Sequence, residues 1–313
     1  MTWTRLIRFA DDSGRETFGE PCIENEQQLM EQLEANTLYA TEYKGESITS
    51  ALVKGEKVHV KSLLDILRPA DVPIIRCIGL NYIKHSKAAL DGRNLFPYLT
   101  THTNATAYPV QEGGRKPPPY PSVFIKPATS VAGYKEDIPI PKIAQDGTLD
   151  YEGELAIVIG KSGKNIPKAE SLSHVAGYLA SNDVSARGWQ RDPAKAGGVP
   201  QWCFSKGFDK FAPLSAMLVA PAVVGNAGAL RLRTLVNGEE RQNETTGDLL
   251  FGVEDIVAFC SQGTTLEAGT VILTGTPSGV AMGMKEPRYL ADGDVVEVTI
   301  SGLGAVRNRM VFE

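Results

Sequence analysis

The sequence predicts an α+β protein in which β-strand dominates. Three observations carry that expectation. From residue 122 onward, short apolar or alternating runs recur: SVFIKP, ELAIVIG, RLRTLVNGEER, GTVILTG, DVVEVTIS and AVRNRMVF. This is the pattern of strands, not of helices. Helical patterns are few, and the regular strand–helix alternation of a doubly wound sheet is missing, as is any repeat of fixed period.

Taken in order, residues 1–70 read as a small α/β N-terminal domain. TRLIRFA is a strand, DDSGRE a turn, and ENEQQLMEQLEAN a short helix with Leu29, Met30 and Leu33 on one side. SLLDILRPADVP ends it in proline punctuation. Residues 71–313 form the second domain. It opens with a buried strand, PIIRCIG, and a helix-like stretch, LNYIKHSKAALDG, stopped by Gly92. Residues 91–121, rich in Pro, Thr, Asn and Gly, have no sustained period and read as a long loop, of the kind that forms lids or stays disordered. In the β-rich remainder, Asn237-Gly238 marks a hairpin. VEDIVAFCSQG, closed by Gly263, is the clearest helix.

Composition narrows the function classes. The chain has 313 residues, 42% hydrophobic and 22% charged, with 32 Lys+Arg against 37 Asp+Glu and a net charge of −5. No basic block stands out, which argues against nucleic acid or an anionic membrane as partner. The start, MTWTRLIRFADDSGRE, has no apolar core of a signal peptide, and no run approaches a membrane span. Cys22, Cys77, Cys203 and Cys260 are scattered with no CxxC, which fits reduced thiols better than disulfides or zinc. The expectation is a soluble protein of a cytoplasmic-type compartment, with a mitochondrial location left open. The sequons at Asn104 and Asn243 then read as chance matches.

The chemistry concentrates in DYEGELAIVIG. Asp150, Glu152 and Glu154 alternate just before an apolar run, so in a strand they share one face. An acidic edge strand would explain them, but Leu155 to Ile159 do not alternate, which indicates burial on both faces. Like charges side by side are unfavourable unless something neutralises them. Glu152 and Glu154 can converge on one hard cation such as Mg²⁺, with Ca²⁺ and Mn²⁺ as near alternatives. Asp183, in the polar stretch ASNDVSARGWQ, offers a third ligand. A glycosidase acid pair is a weaker alternative, because only Trp189 and Trp202 offer sugar-stacking rings.

DYEGELAIVIG, NDVSAR, KGFDKFAP, ILTGTPSGV and GDVVEVTISGLG, in this order, with IGLNYIKHSKAA upstream, resemble the fumarylacetoacetate hydrolase family. The resemblance covers about residues 74–313, and the leading module looks like the small N-terminal domain of many members. It implies the family's mixed β-sandwich or roll as catalytic fold, a homodimer, and Glu152, Glu154 and Asp183 as ligands of Mg²⁺ (Mn²⁺ or Ca²⁺ being alternatives). Asp150 is then left to cap or pair near the strand start. The resemblance also implies a small anionic oxo-acid substrate, a 2-oxo or 1,3-diketo carboxylic acid, whose carbonyl the metal polarises. Lys206 matches the family lysine beside the metal. Arg187 and Gln190, at +4 and +7 from Asp183, share its face if the segment is helical and match the substrate-orienting pair. Thr276 lies in a Gly-rich turn suited to a carboxylate. His85 matches the lid histidine that activates water; His59, His102 and His174 have no such match.

The chain departs from the family at three places. Many members carry a Glu three residues after the histidine; here it is Ala88, and an imidazole without a carboxylate partner is a less directed base. Asp91 and Glu112 are the acids at hand to substitute. Lys210 replaces the Thr of KGFDTF, and a cation there favours a more anionic substrate or alters the metal's surroundings. The 91–121 loop is longer than in compact members, implying a reshaped lid and a larger or unusual substrate. Three functions therefore stay open: hydrolysis of a C–C bond; decarboxylation or keto–enol tautomerisation of an oxaloacetate-type acid; and, in another class, metal and ligand binding with little turnover. Retention of Glu152, Glu154, Asp183 and Lys206 together argues against the last.

Overall fold

Two β-sheets face one another in the computed structural model, which describes residues 3–82 and 118–313. The larger sheet runs, edge to edge, through Val53–His59, Tyr39–Lys44, Glu16–Pro21, Arg5–Ala10, Met217–Val219, Val175–Asn182, Gly153–Ile159, Val271–Leu273, Ile75–Gly79 and Ser122–Lys126. Ser62–Leu64 adds to it by pairing with Arg5–Ala10. The strands of the leading segment thus join the catalytic sheet through the antiparallel pairing of Arg5–Ala10 with Met217–Val219. The smaller sheet is ordered Glu239–Thr245, Arg231–Val236, Val295–Ile300, Gly304–Phe312 and Ile138–Ile140.

Both sheets are mixed: Val271–Leu273 runs parallel to Ile75–Gly79, and Gly304–Phe312 parallel to Ile138–Ile140. Among the described residues, Gln27–Glu34 and Val253–Cys260 are eight-residue helices and the other α-helices have five residues or fewer. The hairpin at Asn237-Gly238 has both residues at positive φ, 50° and 81°, as its two-residue turn requires. No helix among the described residues is long and apolar enough to cross a membrane. The helix expected over LNYIKHSKAALDG lies outside the described residues beyond Tyr82, as do positions 91–117 of the long loop.

Gly153–Ile159 is buried at every position, which is why its sequence does not alternate. Leu155, Ile157 and Ile159 pack toward the smaller sheet in one core with Leu232, Val296, Val298 and Ile300. Ala156 and Val158 face the opposite core, with Leu6, Phe18 and Tyr43 of the leading segment and Leu218 and Leu273. By the same parity, Glu154 faces away from the smaller sheet and Gly153 toward it.

That parity explains the glycine between the two glutamates. A Cβ at Gly153 would stand 2.2 Å from Thr234 Oγ1 and 3.2 Å from a methyl of Val298, both on the smaller sheet. Gly153→Ala should therefore lower unfolding stability by about 1–3 kcal/mol through overpacking, read by urea denaturation. A loss below about 0.5 kcal/mol would mean that the sheets separate freely here.

Candidate active site

The site grows out of one antiparallel pairing. Gly153 stands opposite Asn182 and Glu154 opposite Ser181. One step beyond the ladder, Asp183 N donates to Glu152 O at 2.8 Å, and Asn182 Oδ1 accepts from Glu152 N at 2.9 Å. Residues thirty positions apart are thereby brought side by side. Carboxylate oxygens of Glu152, Glu154 and Asp183 all lie within 4.8 Å of one another, and all three side chains are buried.

Buried cations border this cluster. Lys206, on the short helix Trp202–Lys206, donates to Glu152 Oε2 at 2.8 Å and Asp183 Oδ2 at 2.6 Å. Arg187, on the helix Arg187–Arg191, donates to Glu152 Oε1 at 2.5 Å and Asp150 Oδ2 at 2.9 Å. Lys126, fully buried at the end of Ser122–Lys126, donates to Asp183 Oδ1 at 2.6 Å and to Phe211 O. Asp150 is saturated: besides Arg187 it accepts from the amides of Tyr151, Ala281 and Met282. It ties the 281–282 segment to the acidic stretch, in the pairing role expected of it.

The electrostatics separate the two glutamates. Burial alone would raise the Glu152 carboxyl, but Arg187 and Lys206 outweigh it and hold Glu152 well below the usual carboxylate range. Burial also works against the Lys206 ammonium, yet Asp183 and Glu152 more than compensate and keep it charged. Glu154 is different. Burial, then Asp183 and Glu152, push it well above the ordinary range, and Lys206 and the Gly275 amide at 2.6 Å offset this only in part. An all-oxygen donor set with one under-neutralised carboxylate fits a hard divalent cation.

Glu152, Arg187, Gln190, Lys206 and Thr276 all line one cavity, whose remaining wall includes Ile78, Phe124, Arg191, Trp202, Gly275 and Met282. Gly275, at φ 97°, admits no side chain, because a Cβ would meet Asn81 Cβ at 2.9 Å and Ile78 O at 3.0 Å. The Thr276 hydroxyl donates to Gly153 O at 2.9 Å and accepts from Gln242 Nε2 at 2.7 Å. Gln242 also accepts from Gly153 N at 2.9 Å, so it pins the Gly-rich turn to the glutamate strand.

Two expectations need correction. Asp183 does not share a helix face with Arg187 and Gln190, because it directly follows a strand and the helix begins only at Arg187. Arg187 and Gln190 do meet, Nη1 to Oε1 at 3.0 Å, as three-apart helix neighbours. Lys210 does not reach the cavity: its ammonium pairs with Glu136, and it lines a separate surface pocket with Asp65, Arg68 and Asp209. An added cation beside Glu152, Glu154 and Asp183 is thus not what this substitution supplies. His85, Ala88, Asp91, His102, Asn104 and Glu112 lie outside the described residues. His174 bonds Lys161 O through Nδ1, away from the cavity.

Reading the sequence alone missed Lys126, Arg191 and Gln242. In SVFIKP the strand period puts Lys126 on the same inward face as Phe124, a signal available from alternation. Arg191 is four residues from Arg187, on the same helix face. Gln242 had no such signal, since its partners belong to the other sheet.

The family model described as fumarylacetoacetate (FAA) hydrolase C-terminal matches residues 74–311. Oxaloacetate tautomerase fahd2, mitochondrial, of Xenopus laevis is 38% identical over 263 residues, 84% of this chain and 73% of that one. Caffeoylpyruvate hydrolase of Neonothopanus nambi is 36% identical over 320 residues, 100% of this chain and 94% of that one. The crystal structure of 2-hydroxyhepta-2,4-diene-1,7-dioate isomerase from Mycobacterium marinum matches with a TM-score of 0.73 at 29% identity, covering 99% of both chains.

The raised Glu154 carboxyl has a consequence for stability. Its folded-state value lies above the unfolded one, so protonated Glu154 stabilises the fold at low pH, and that contribution is lost as pH rises between the two. At pH 8 without metal, Glu154→Gln should melt above the wild type, and it should lose the wild type's thermal stabilisation by Mg²⁺. A variant that melts lower and still responds to Mg²⁺ would refute the assignment of strain and cation to Glu154.

Proposed function

The chain belongs to the fumarylacetoacetate hydrolase family, and from that premise we propose that it is a Mg²⁺-dependent enzyme acting on a small 2-oxo or 1,3-diketo carboxylic acid. In this reading it cleaves a C–C bond beside the oxo group. The observation that carries the reading is the convergence of Glu152, Glu154 and Asp183 beside a cavity lined by Glu152 and Lys206. A divalent cation bound by these carboxylates would act as a Lewis acid on an adjacent oxo group, and Mn²⁺ or Ca²⁺ has the same oxygen preference.

The chain's own groups supply the rest. Lys206, charged and on the cavity wall, donates to the oxygen where negative charge builds as the bond breaks. Arg187 keeps Glu152 ionised and oriented, and it holds the Gln190 carbonyl oxygen. The Gln190 amide nitrogen, with no partner among the described residues, is left to donate to a substrate carboxylate. The Thr276 hydroxyl is engaged with Gly153 and Gln242, so Thr276 offers a carboxylate a rigidly held turn. His85 is assigned as the base that takes a proton from water.

A second reading is favoured by Ala88. With alanine in place of the family's glutamate, water activation weakens, whereas tautomerisation or decarboxylation of an oxaloacetate-type acid needs chiefly Lewis-acid assistance and a proton shuttle. The names of the Xenopus and Neonothopanus relatives span both readings.

One assay separates them: Mg²⁺-loaded protein against acylpyruvates and oxaloacetate, with enol absorbance and CO₂ followed together. Acylpyruvate cleavage supports the first reading, and enol loss or CO₂ from oxaloacetate alone supports the second. Metal-dependent binding without turnover of either would refute both. His85→Ala should cost about 10²–10⁴-fold in kcat, whereas His174→Ala should stay within about twofold of wild type. Equal losses would remove His85 from the mechanism.

A further inference from the structure

Among the described residues, Arg191 is the one cation on the cavity wall without an ion-pair partner. Arg187 and Lys206 each hold two carboxylates, and Lys126 behind them holds Asp183. Arg191 is half-buried, lines the same cavity, and makes no hydrogen bond or ion pair among the described residues. Burial and then the neighbouring Arg187 work against its charged form, and Glu152, Tyr289 and Asp150, acting through space, offset this only in part. A guanidinium withdrawn from water and set beside a second guanidinium is stable only when an anion answers it.

The charge of the whole site points to the same anion. With Glu154 ionised, as a bound cation requires, Asp150, Glu152, Glu154 and Asp183 stand against Lys126, Arg187, Arg191 and Lys206, and these charges balance one for one. A divalent cation adds two positive charges. A monocarboxylate would answer one of them and a dianion answers both. Among the described residues, the lining side chains Ile78, Phe124, Trp202 and Met282 carry no charge that could hold a second carboxylate.

We propose that Arg191 is a specificity-determining residue that binds the second carboxylate of a dianionic oxo-acid substrate. This rests on the oxo-acid reading above and narrows it. The first carboxylate and the oxo group lie toward Glu152, Glu154 and Asp183. The second carboxylate lies against the Arg191 end of the Arg187–Arg191 helix, where a planar guanidinium can grip both its oxygens.

The test uses unreactive and reactive ligand pairs that differ only in the distal carboxylate: 2-oxoglutarate with 2-oxopentanoate, and oxaloacetate with 2-oxobutanoate. Affinities come from thermal-shift titration of the full-length, Mg²⁺-loaded protein. In at least one pair the wild type should bind the dicarboxylate at least about tenfold tighter. Arg191→Gln should bring the two members of that pair within about twofold, and Arg191→Lys should keep part of the preference. Equal binding by the wild type in both pairs, or a preference that survives in Arg191→Gln, overturns the role of Arg191 and leaves the oxo-acid reading standing. Failure of all four acids to bind the Mg²⁺-loaded wild type overturns both.

Discussion

Everything at the active site depends on a buried network of ions that no single element of the chain could hold. Four carboxylates from two adjacent strand ends meet three fully engaged cations from a strand and two short helices. Taking such charges out of water is costly, and a network of this kind adds stability only where every member is answered. Here nearly every member is. Asp150 accepts four hydrogen bonds, Glu152 has a cation on each oxygen, and Asp183 has a lysine on each. Glu154 is the exception, with one backbone amide and no cation of its own among the described residues. The network's incompleteness is localised, and it is localised where a metal would sit.

The same network explains why the surrounding backbone is so constrained. Gly153 must be glycine because the smaller sheet lies against it, and Gly275 because Asn81 and Ile78 do. Gln242 reaches from the smaller sheet to bond both the Gly153 amide and Thr276. The two sheets are therefore coupled at the site by hydrogen bonds as well as by the apolar core, so the ligand geometry is set by tertiary packing and not by loop conformation. The cavity these groups surround is lined by guanidinium, ammonium and amide donors together with the apolar side chains of Ile78, Phe124, Trp202 and Met282. Phe124 and Trp202 meet edge to face with ring centroids 5.3 Å apart, which stiffens the apolar lining.

Much of this was legible in the residues. β-strand dominance, the hairpin at Asn237-Gly238 and the double burial of Leu155 to Ile159 all follow from period, turn chemistry and the absence of alternation, each a local property. The convergence of Glu152 and Glu154 follows from the two-residue period of a strand. Their order along the chain relative to NDVSAR, KGFDKF and TGTPSG carried the resemblance to the family. Local rules failed where a residue's meaning depends on a distant neighbour. The +4 and +7 spacings of Arg187 and Gln190 from Asp183 suit one helix face, yet Asp183 directly follows the strand Val175–Asn182 and bonds Glu152 O through its amide. Position 210 in KGFDKF suggests a cation for the site, yet Lys210 turns to Glu136.

The sequence by itself thus determined the secondary-structure class, the acids that share a strand face and the family to which the chain is similar, because these rest on spacing and order along one strand of text. Only the tertiary structure decided which charges answer one another. Lys126 and Arg187 are silenced by carboxylates brought from far along the chain, whereas Arg191, four residues from Arg187 and chemically identical to it, has none within ion-pairing distance among the described residues. The physical reason is that an ion pair is a property of separation in space, which strand pairing and sheet packing set and which distance along the chain does not.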